Sequence, residues 1–236
     1  MLIRKRVPEI MDDPLLAPDL HEAALQGLER LNTLSDGVGV LAGPIISLAE
    51  KLNAERPGRI ITVLDIACGA GDLPVQLYAH LKKRALNVRV HGLDISEVAV
   101  QYASAKGRTA GSGCTFSRHD VLQDELPDGY DVITTSLFTH HLDPPEIKTL
   151  MAKMAAKANH LVLVNDLERS WTSLWSVALA TRLVTTSAVV HHDGPASVRA
   201  AFTAAEMLDM ARQAGLNGAK VQGHWPCRIL LSWQKH

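Results

Sequence analysis

From Arg59 onward the chain repeats one pattern: a short β-branched apolar run, a turn, then a stretch with helical apolar spacing. Strands alternating with helices in this way imply βαβ units, a mostly parallel sheet and helices on both of its faces. The runs near 60–66, 88–93, 114–119, 130–136 and 159–165 read as strands. Residues 72–85, 96–109 and 144–157 read as helices, and 122–129 as a short irregular crossing. A last helix is expected over 203–215, followed by a closing β-pair at 219–223 and 227–233 around Trp225-Pro226. The expected fold is therefore α/β, a doubly wound seven-stranded sheet, mostly parallel, with an antiparallel last strand at its edge.

Two segments lie outside this repeat. Pro8, Pro14 and Pro18 point to an extended arm or mobile tail up to about residue 18. A first helix then follows, with Asp19 and Glu22 resembling a capping box and Leu20, Ala24, Leu28, Leu31 and Leu34 on one face. A second helix is expected to open at Pro44, a favoured first-turn residue, and to stop before Pro57-Gly58. Between the fifth strand and the last helix, Trp171 to Ala201 reads as one or two inserted helices that could form a lid. A chain of 236 residues suits one α/β core. The expected division is an N-terminal arm and helical cap at 1–58 and a ligand-binding domain at 59–236, with the lid insertion at 167–202.

The segment most informative about chemistry is Val63-Leu64-Asp65-Ile66-Ala67-Cys68-Gly69-Ala70-Gly71-Asp72, a strand running into a glycine turn that opens a helix. Side chains at Gly69 and Gly71 would obstruct a ligand approaching the backbone there. A dinucleotide fingerprint would place a third glycine where this chain has Pro74, and Asp72 puts a carboxylate where a pyrophosphate should sit. A ligand with an amino acid group and a sulfonium instead tolerates carboxylates near its positive centres. S-adenosylmethionine has that chemistry. Asp94 and Asp120 then fall at the ends of the second and third strands, the edge at which open α/β sheets bind ligands. Asp94 can accept from both ribose hydroxyls and Asp120 from an adenine amino group, although either aspartate also suits a helix cap or turn.

On these residues the chain resembles class I S-adenosylmethionine-dependent methyltransferases over roughly residues 59–233, with a Rossmann-like sheet. The resemblance implies that Asp65, Gly69 and Gly71 hold the methionine part, Asp94 the ribose and Asp120 the adenine. Ala67, Ile95, Val121 and Ser136 complete the expected cofactor contacts. The family often has glycine where this chain has Ala67, a small departure that affects fit. The product would be S-adenosylhomocysteine.

The loop after the fourth strand, Leu137-Phe138-Thr139-His140-His141-Leu142, is expected beside the transferred methyl. Histidine suits a base at neutral pH, so His140 and His141 are the catalytic candidates, with helix capping or packing against Pro144 and Pro145 as the alternative. A second polar cluster, His191-His192-Asp193-Gly194 followed by Arg199, reads as a substrate loop, with His192 catalytic and His191, Arg199 and Phe138 binding substrate, or as a solvated loop. Neighbouring side chains diverge in an extended segment, so no metal is expected there. Trp171 and Trp175 could enclose an apolar acceptor with Phe138, or serve in the core. Leu28, Arg30, Leu31 and Asn32 of the first helix could reach the cofactor. The polar end of the fifth strand, Asn165-Asp166-Leu167-Glu168-Arg169, also lies at the ligand edge, or caps the next helix.

The resemblance extends to bacterial quinone-biosynthesis and phenol-methylating enzymes. It implies O-methylation of a phenolic, quinone-precursor or polyketide-type hydroxyl. C- or N-methylation on the same scaffold and a non-catalytic S-adenosylmethionine-binding partner protein are the alternatives. The Asn/Asp-Pro-Pro-aromatic segment of nucleic-acid amino-methylating enzymes is missing after the fourth strand. Lysine plus arginine, 24, balance aspartate plus glutamate, 25, so no global field draws the chain to a nucleic acid or an anionic membrane surface. Cys68, Cys114 and Cys227 form no close pair, which suits a reducing cytoplasm, and no apolar run is long enough for membrane insertion. Either a monomer or a homodimer is compatible with the sequence.

Overall fold

In the computed structural model, which describes residues 2–13 and 15–235, the apolar runs assemble into one seven-stranded sheet. Its strands are β1 (Ile61–Ile66), β2 (Val88–Asp94), β3 (Cys114–Arg118), β4 (Tyr130–Ser136), β5 (Ala158–Leu167), β6 (Lys220–His224) and β7 (Arg228–Gln234), ordered β3-β2-β1-β4-β5-β7-β6. Strands β1 to β5 pair in parallel, whereas β7 runs antiparallel to both β5 and β6. The antiparallel last strand is thus present, but it is not the edge. Arg228, Ile229, Leu230 and Leu231 of β7 are buried, while Lys220, Gln222 and Gly223 of β6 are exposed, so β7 takes the inner place.

Successive strand residues face opposite sides of the sheet, and both sides are covered, which is why the strands are apolar almost without interruption. Leu64, Ile66, Ile133 and Val162 pack on one side with Ile147, Leu150 and Met154 of α5 (Pro144–Lys157) and Met207 of α8 (Ala204–Gln213). On the other side Val63, Val132 and Leu163 meet Leu41, Ile45 and Leu48 of α2 (Gly37–Glu55) and Leu77 and Leu81 of α3 (Asp72–Lys83). Each such fully buried aliphatic side chain contributes about 1.5–3 kcal/mol. Helix α2 therefore shares the core of the sheet, although it precedes residue 58. The remaining helices are α1 (Pro18–Leu34), α4 (Glu97–Thr109), α6 (Trp171–Val184) and α7 (Ala188–Ala200), with α1 packed across α6 and α7.

Local structure corrects three expectations in this part of the chain. Helix α1 opens at Pro18 after Ala17, with no side-chain cap, so Asp19 lies inside the first turn and there is no Asp19–Glu22 capping box. Helix α2 opens at Gly37, well before Pro44, because the Asp36 carboxylate accepts from the Gly39 amide at 3.1 Å; Pro44 lies within the helix. The cost of a missing amide there is offset by the buried Leu41, Ala42, Ile45 and Leu48. The segment 189–194 is not a loop but the start of α7, whose N-cap Ser187 accepts from Val190 and whose Val189, Val190 and Val198 are buried.

Ahead of α1, residues 2–9 run extended and Ile10–Asp12 form a 3-10 turn, while Pro14 lies outside the described residues. The arm is strapped down rather than loose. Arg4 donates to the carbonyls of Ala200 at 2.6 Å and Leu142 at 2.8 Å, and its guanidinium lies 4.0 Å from the centre of the Phe202 ring. Arg6 donates to the His141 carbonyl at 2.6 Å, and the Lys5 amide to that of Arg199 at 2.9 Å. Among the described residues no single helix is long and apolar enough to cross a membrane.

Candidate active site

The strand order reverses between β1 and β4, which opens a crevice outside the carboxyl ends of the strands. The chain leaves each of these two strands through a left-handed residue that is not glycine, Ala67 at φ 55° and Leu137 at φ 55°. Such a conformation costs about 1–2 kcal/mol per residue, so strain is concentrated at the mouth of the crevice.

On the β1–β2 side the glycine turn is tied to the second strand. The Gly69 amide donates to Asp94 Oδ2 at 2.8 Å, and Asp94 Oδ1 accepts from the Ser96 amide at 2.9 Å. Asp94 is not the cap of α4; Ser96 is, accepting from the Ala99 amide at 3.2 Å. A carboxylate offers about four acceptor positions, so Asp94 retains capacity for a ligand. The two glycines differ. A side chain at Gly69 would meet nothing within 4 Å, whereas at Gly71 it would come within 2.7 Å of Ala103 Cβ and 3.1 Å of Phe116. Open space lies beside Gly69, whereas Gly71 lets α3, α4 and β3 close together.

Asp65 is buried, and among the described residues its Oδ1 has no hydrogen-bond partner. Burial, and then the nearby Asp94 charge, push its pKa well above the usual carboxylate range. A buried acid of this kind is costly until a cationic or donating group meets it. Ile95 is 58 % exposed and provides an apolar flank beside Asp94. Asp120 Oδ1 accepts from the amides of Leu122 at 3.0 Å and Gln123 at 3.2 Å, shaping the turn after β3. That turn sends the Val121 side chain into the core with Leu93 and Leu126. The Asp72 carboxylate is paired with Lys106, which also lies 3.5 Å from Glu29 of α1. Helix α1 is thereby tethered beside the glycine turn, and Asp72 is a partnered acid rather than a bare one.

On the β4–β5 side the polar groups are closed in. Ser136 Oγ accepts from Asn165 Nδ2 at 2.9 Å, and Phe138 packs half-buried against the core. Thr139–His141 form a 3-10 turn around the buried Asp166, which accepts from the Thr139 hydroxyl, the His140 amide at 3.0 Å and the Leu167 amide at 2.7 Å. Burial raises the Asp166 pKa, but His140 and the hydrogen bonds from His140, Thr139 and Leu167 outweigh it and hold it at about 2. Asp166 is therefore ionised at neutral pH and can only accept, so His140 Nδ1, 2.7 Å away, carries the proton between them. The two histidine rings lie 4.2 Å apart. Burial and the neighbouring His140 lower the His141 pKa to about 4, against the opposing pull of Asp166 and Asp193.

His140 is buried beneath the arm, and its Nε2 lies 3.7 Å from Glu9, whose carboxylate also accepts from the Ser197 hydroxyl. The first histidine thus faces the arm rather than the open crevice. The second expected cluster does not converge either, because α7 turns its residues to different neighbours. His191 Nε2 donates to the Thr185 carbonyl at 2.8 Å, and Asp193 accepts from the amides of Ile10 and Met11 while meeting His192 Nδ1 at 2.9 Å. His192 and Arg199 line, with Lys5, Val7 and Ala196, a cavity of about 220 Å³ between the arm and α7. Trp171 and Trp175 are 55 % and 71 % exposed and enclose nothing with Phe138. On α1, Asn32 accepts from Arg228 at 2.9 Å, and Arg30 is exposed. Glu9 was not singled out from the sequence, and Asp166 was read only as one of several polar residues at the end of the fifth strand. Asp166 had a signal, its place at a strand end; Glu9 had none.

Residues 63–159, from β1 to the start of β5, match the protein family described as a methyltransferase domain. No curated protein sequence matches the chain. Among solved structures it is similar to the S-adenosylmethionine-dependent methyltransferase SibL in its apo form, with 18% identity, a TM-score of 0.69 and coverage of 98% of this chain and 63% of SibL. The plantazolicin methyltransferase BpumL, solved with a triazolic desmethylPZN analog and SAH, has 15% identity, a TM-score of 0.68 and coverage of 93% and 92%. Magnesium protoporphyrin IX methyltransferase (ChlM) from Synechocystis PCC 6803, solved with SAH, has 16% identity, a TM-score of 0.56 and coverage of 96% and 91%. This chain therefore spans less than two thirds of SibL and nearly the whole length of the other two. The family match falls on the strands and turns that build the cradle around Gly69, and the solved structures share the seven-stranded α/β fold of this chain.

Proposed function

We propose that the protein transfers a methyl group from S-adenosylmethionine to a hydroxyl of a small aromatic acceptor, a phenol, a quinone precursor or a polyketide-type ring. The observation that carries this reading is the open space at Gly69, flanked by Asp94 and by the partnerless Asp65 oxygen. When bound, the cofactor supplies a sulfonium methyl to a nucleophile approaching in line with the carbon–sulfur bond. Gly69 admits the methionine end to the turn, and Asp65 receives its positive amino group. Asp94 accepts from the ribose hydroxyls with the positions that Gly69 and Ser96 leave over, and Ile95 covers one face of the adenine. Asp120 borders the adenine edge.

The acceptor then lies toward Ser136, Leu137 and Phe138, at the strained exit from β4. Holding both reactants in line supplies most of the acceleration, since a bound pair reacts as one molecule. His140 acts here as a positioning residue: its pairing with Asp166 fixes the 3-10 turn that follows Phe138. His141, unprotonated at neutral pH, presents a nitrogen lone pair on the same turn. The experiment is a screen of phenols, hydroxyquinol-type rings and simple amines with purified protein and S-adenosylmethionine. Formation of S-adenosylhomocysteine with a phenol, and a methyl on oxygen by NMR, is the expected result; methylation on carbon or nitrogen alone would overturn the acceptor assignment, and cofactor binding without turnover on any acceptor would overturn catalysis.

A further inference from the structure

We propose that Glu9, His140 and His141 form a binding site for a divalent transition-metal ion of the zinc type, which pins the N-terminal arm to the loop after β4. One carboxylate oxygen and one nitrogen from each imidazole all lie within 4.8 Å of one another. In a tetrahedral zinc site with bonds of about 2.0–2.1 Å the ligand atoms stand roughly 3.3 Å apart. The Glu9 Oε1 to His140 Nε2 distance, 3.7 Å, is already near that value. Small side-chain rotations complete the contraction, replacing contacts these groups make within the cluster.

The surroundings have the form of a metal site's outer shell. A metal-ligating histidine commonly gives its other ring N–H to a carboxylate, which fixes tautomer and ring orientation. His140 does so: Nδ1 meets Asp166 at 2.7 Å, and Nε2 is turned to Glu9. The Glu9 oxygen is in turn held by the Ser197 hydroxyl. Glu9, Asp166 and Asp193 supply three carboxylates around the two imidazoles. Arg4 and Arg6 fasten the arm over the cluster by contacts with the carbonyls of His140, His141 and Leu142 and with Asp143. Two imidazoles with one carboxylate favour zinc, cobalt, nickel or ferrous ion over magnesium or calcium, which prefer oxygen alone. The expectation of no metal rested on residues 191–193; this cluster forms elsewhere, and only when the arm reaches the β4 loop. The inference does not depend on methyl transfer.

The test uses untagged full-length protein stripped with chelator, then loaded with Zn²⁺ or Co²⁺ and passed through gel filtration. One bound equivalent by elemental analysis is expected, with visible Co²⁺ absorption typical of low coordination number and a rise in thermal midpoint on Zn²⁺ addition. Glu9→Gln, which preserves side-chain shape, should weaken binding at least about tenfold, and Asp166→Asn by roughly 10- to 100-fold. His192→Ala should bind as wild type does. Stripped wild-type protein that takes up no Zn²⁺ or Co²⁺, or equal binding by wild type, Glu9→Gln and His141→Ala in samples that unfold cooperatively, would overturn the site. S-adenosylmethionine titrations of the stripped protein are run in parallel, so that failure of the metal site and failure of the methyltransferase reading are separately visible.

Discussion

The two sides of the crevice are built by different means. On the β1–β2 side the parts are close in sequence, backbone amides do the holding, and the cradle is open at Gly69. On the β4–β5 side His140 and Asp166 are buried, and the enclosure is completed by Glu9, Arg4 and Arg6 from the far end of the chain. An open cradle suits a cofactor common to many enzymes. A closed, strapped side is where an enzyme can choose its acceptor.

The largest expected separation of the two sides comes from Asp94→Ala. It removes a charged acceptor from the cradle and the Gly69 tie with it, so affinity for S-adenosylmethionine should fall roughly 10- to 100-fold by calorimetry. Unchanged affinity would remove Asp94 from the cofactor site. Arg4→Ala acts on the other side. It deletes the bonds to Ala200 and Leu142 and the contact with Phe202, and should lower stability by about 1–2 kcal/mol, expose the arm to protease and slow turnover. Cofactor affinity should stay within about twofold of wild type; a loss as large as that of Asp94→Ala would mean that the two sides are not separable.

Asp65→Asn sharpens the comparison through pH. The folded state holds the Asp65 proton more tightly than the unfolded chain, whose value is near 3.8. Wild-type stability should therefore fall as pH rises from that value through the raised folded pKa, and the variant should lack this component. Thermal midpoints measured from about pH 4 to about pH 8 test it; parallel curves for the two proteins would contradict the assignment. Cofactor affinity should drop about tenfold in the same variant, so that stability and binding respond differently. The smallest effect belongs to the two strained exits. Ala67→Gly should stabilise by about 0.5–1 kcal/mol by relieving the left-handed alanine. Leu137→Gly should not, because Leu137 packs against the cluster of Leu167, Leu174 and Val198. Equal gains in denaturant melts would show that this packing contributes nothing.

What was legible in the sequence follows the same division. Strand and helix periodicity in the βαβ region located the sheet because each run buries one or both faces locally. Asp94 and Gly69 were legible because their partners lie on the next strand. Trp171 to Ala201 read as one or two helices, yet the first half of α7 read as a loop, since His191-His192-Asp193-Gly194-Pro195 has loop composition and is held helical by Ser187 and by buried Val189, Val190 and Val198. Pro44 marked no boundary because the apolar face of α2 extends to both sides of it. Val121 is a core residue for a reason visible only in the turn at Asp120. Glu9 could not be found from spacing, because nothing local to the arm says that it will meet His140.

The measurement that bears most directly on the central claim is calorimetric titration of the purified protein with S-adenosylmethionine, S-adenosylhomocysteine and NAD. Binding of the two sulfur compounds in the micromolar range, about −8 kcal/mol, with no heat from NAD, is the predicted result. Absence of binding by both sulfur compounds to folded protein would contradict the cradle at Gly69, Asp65 and Asp94.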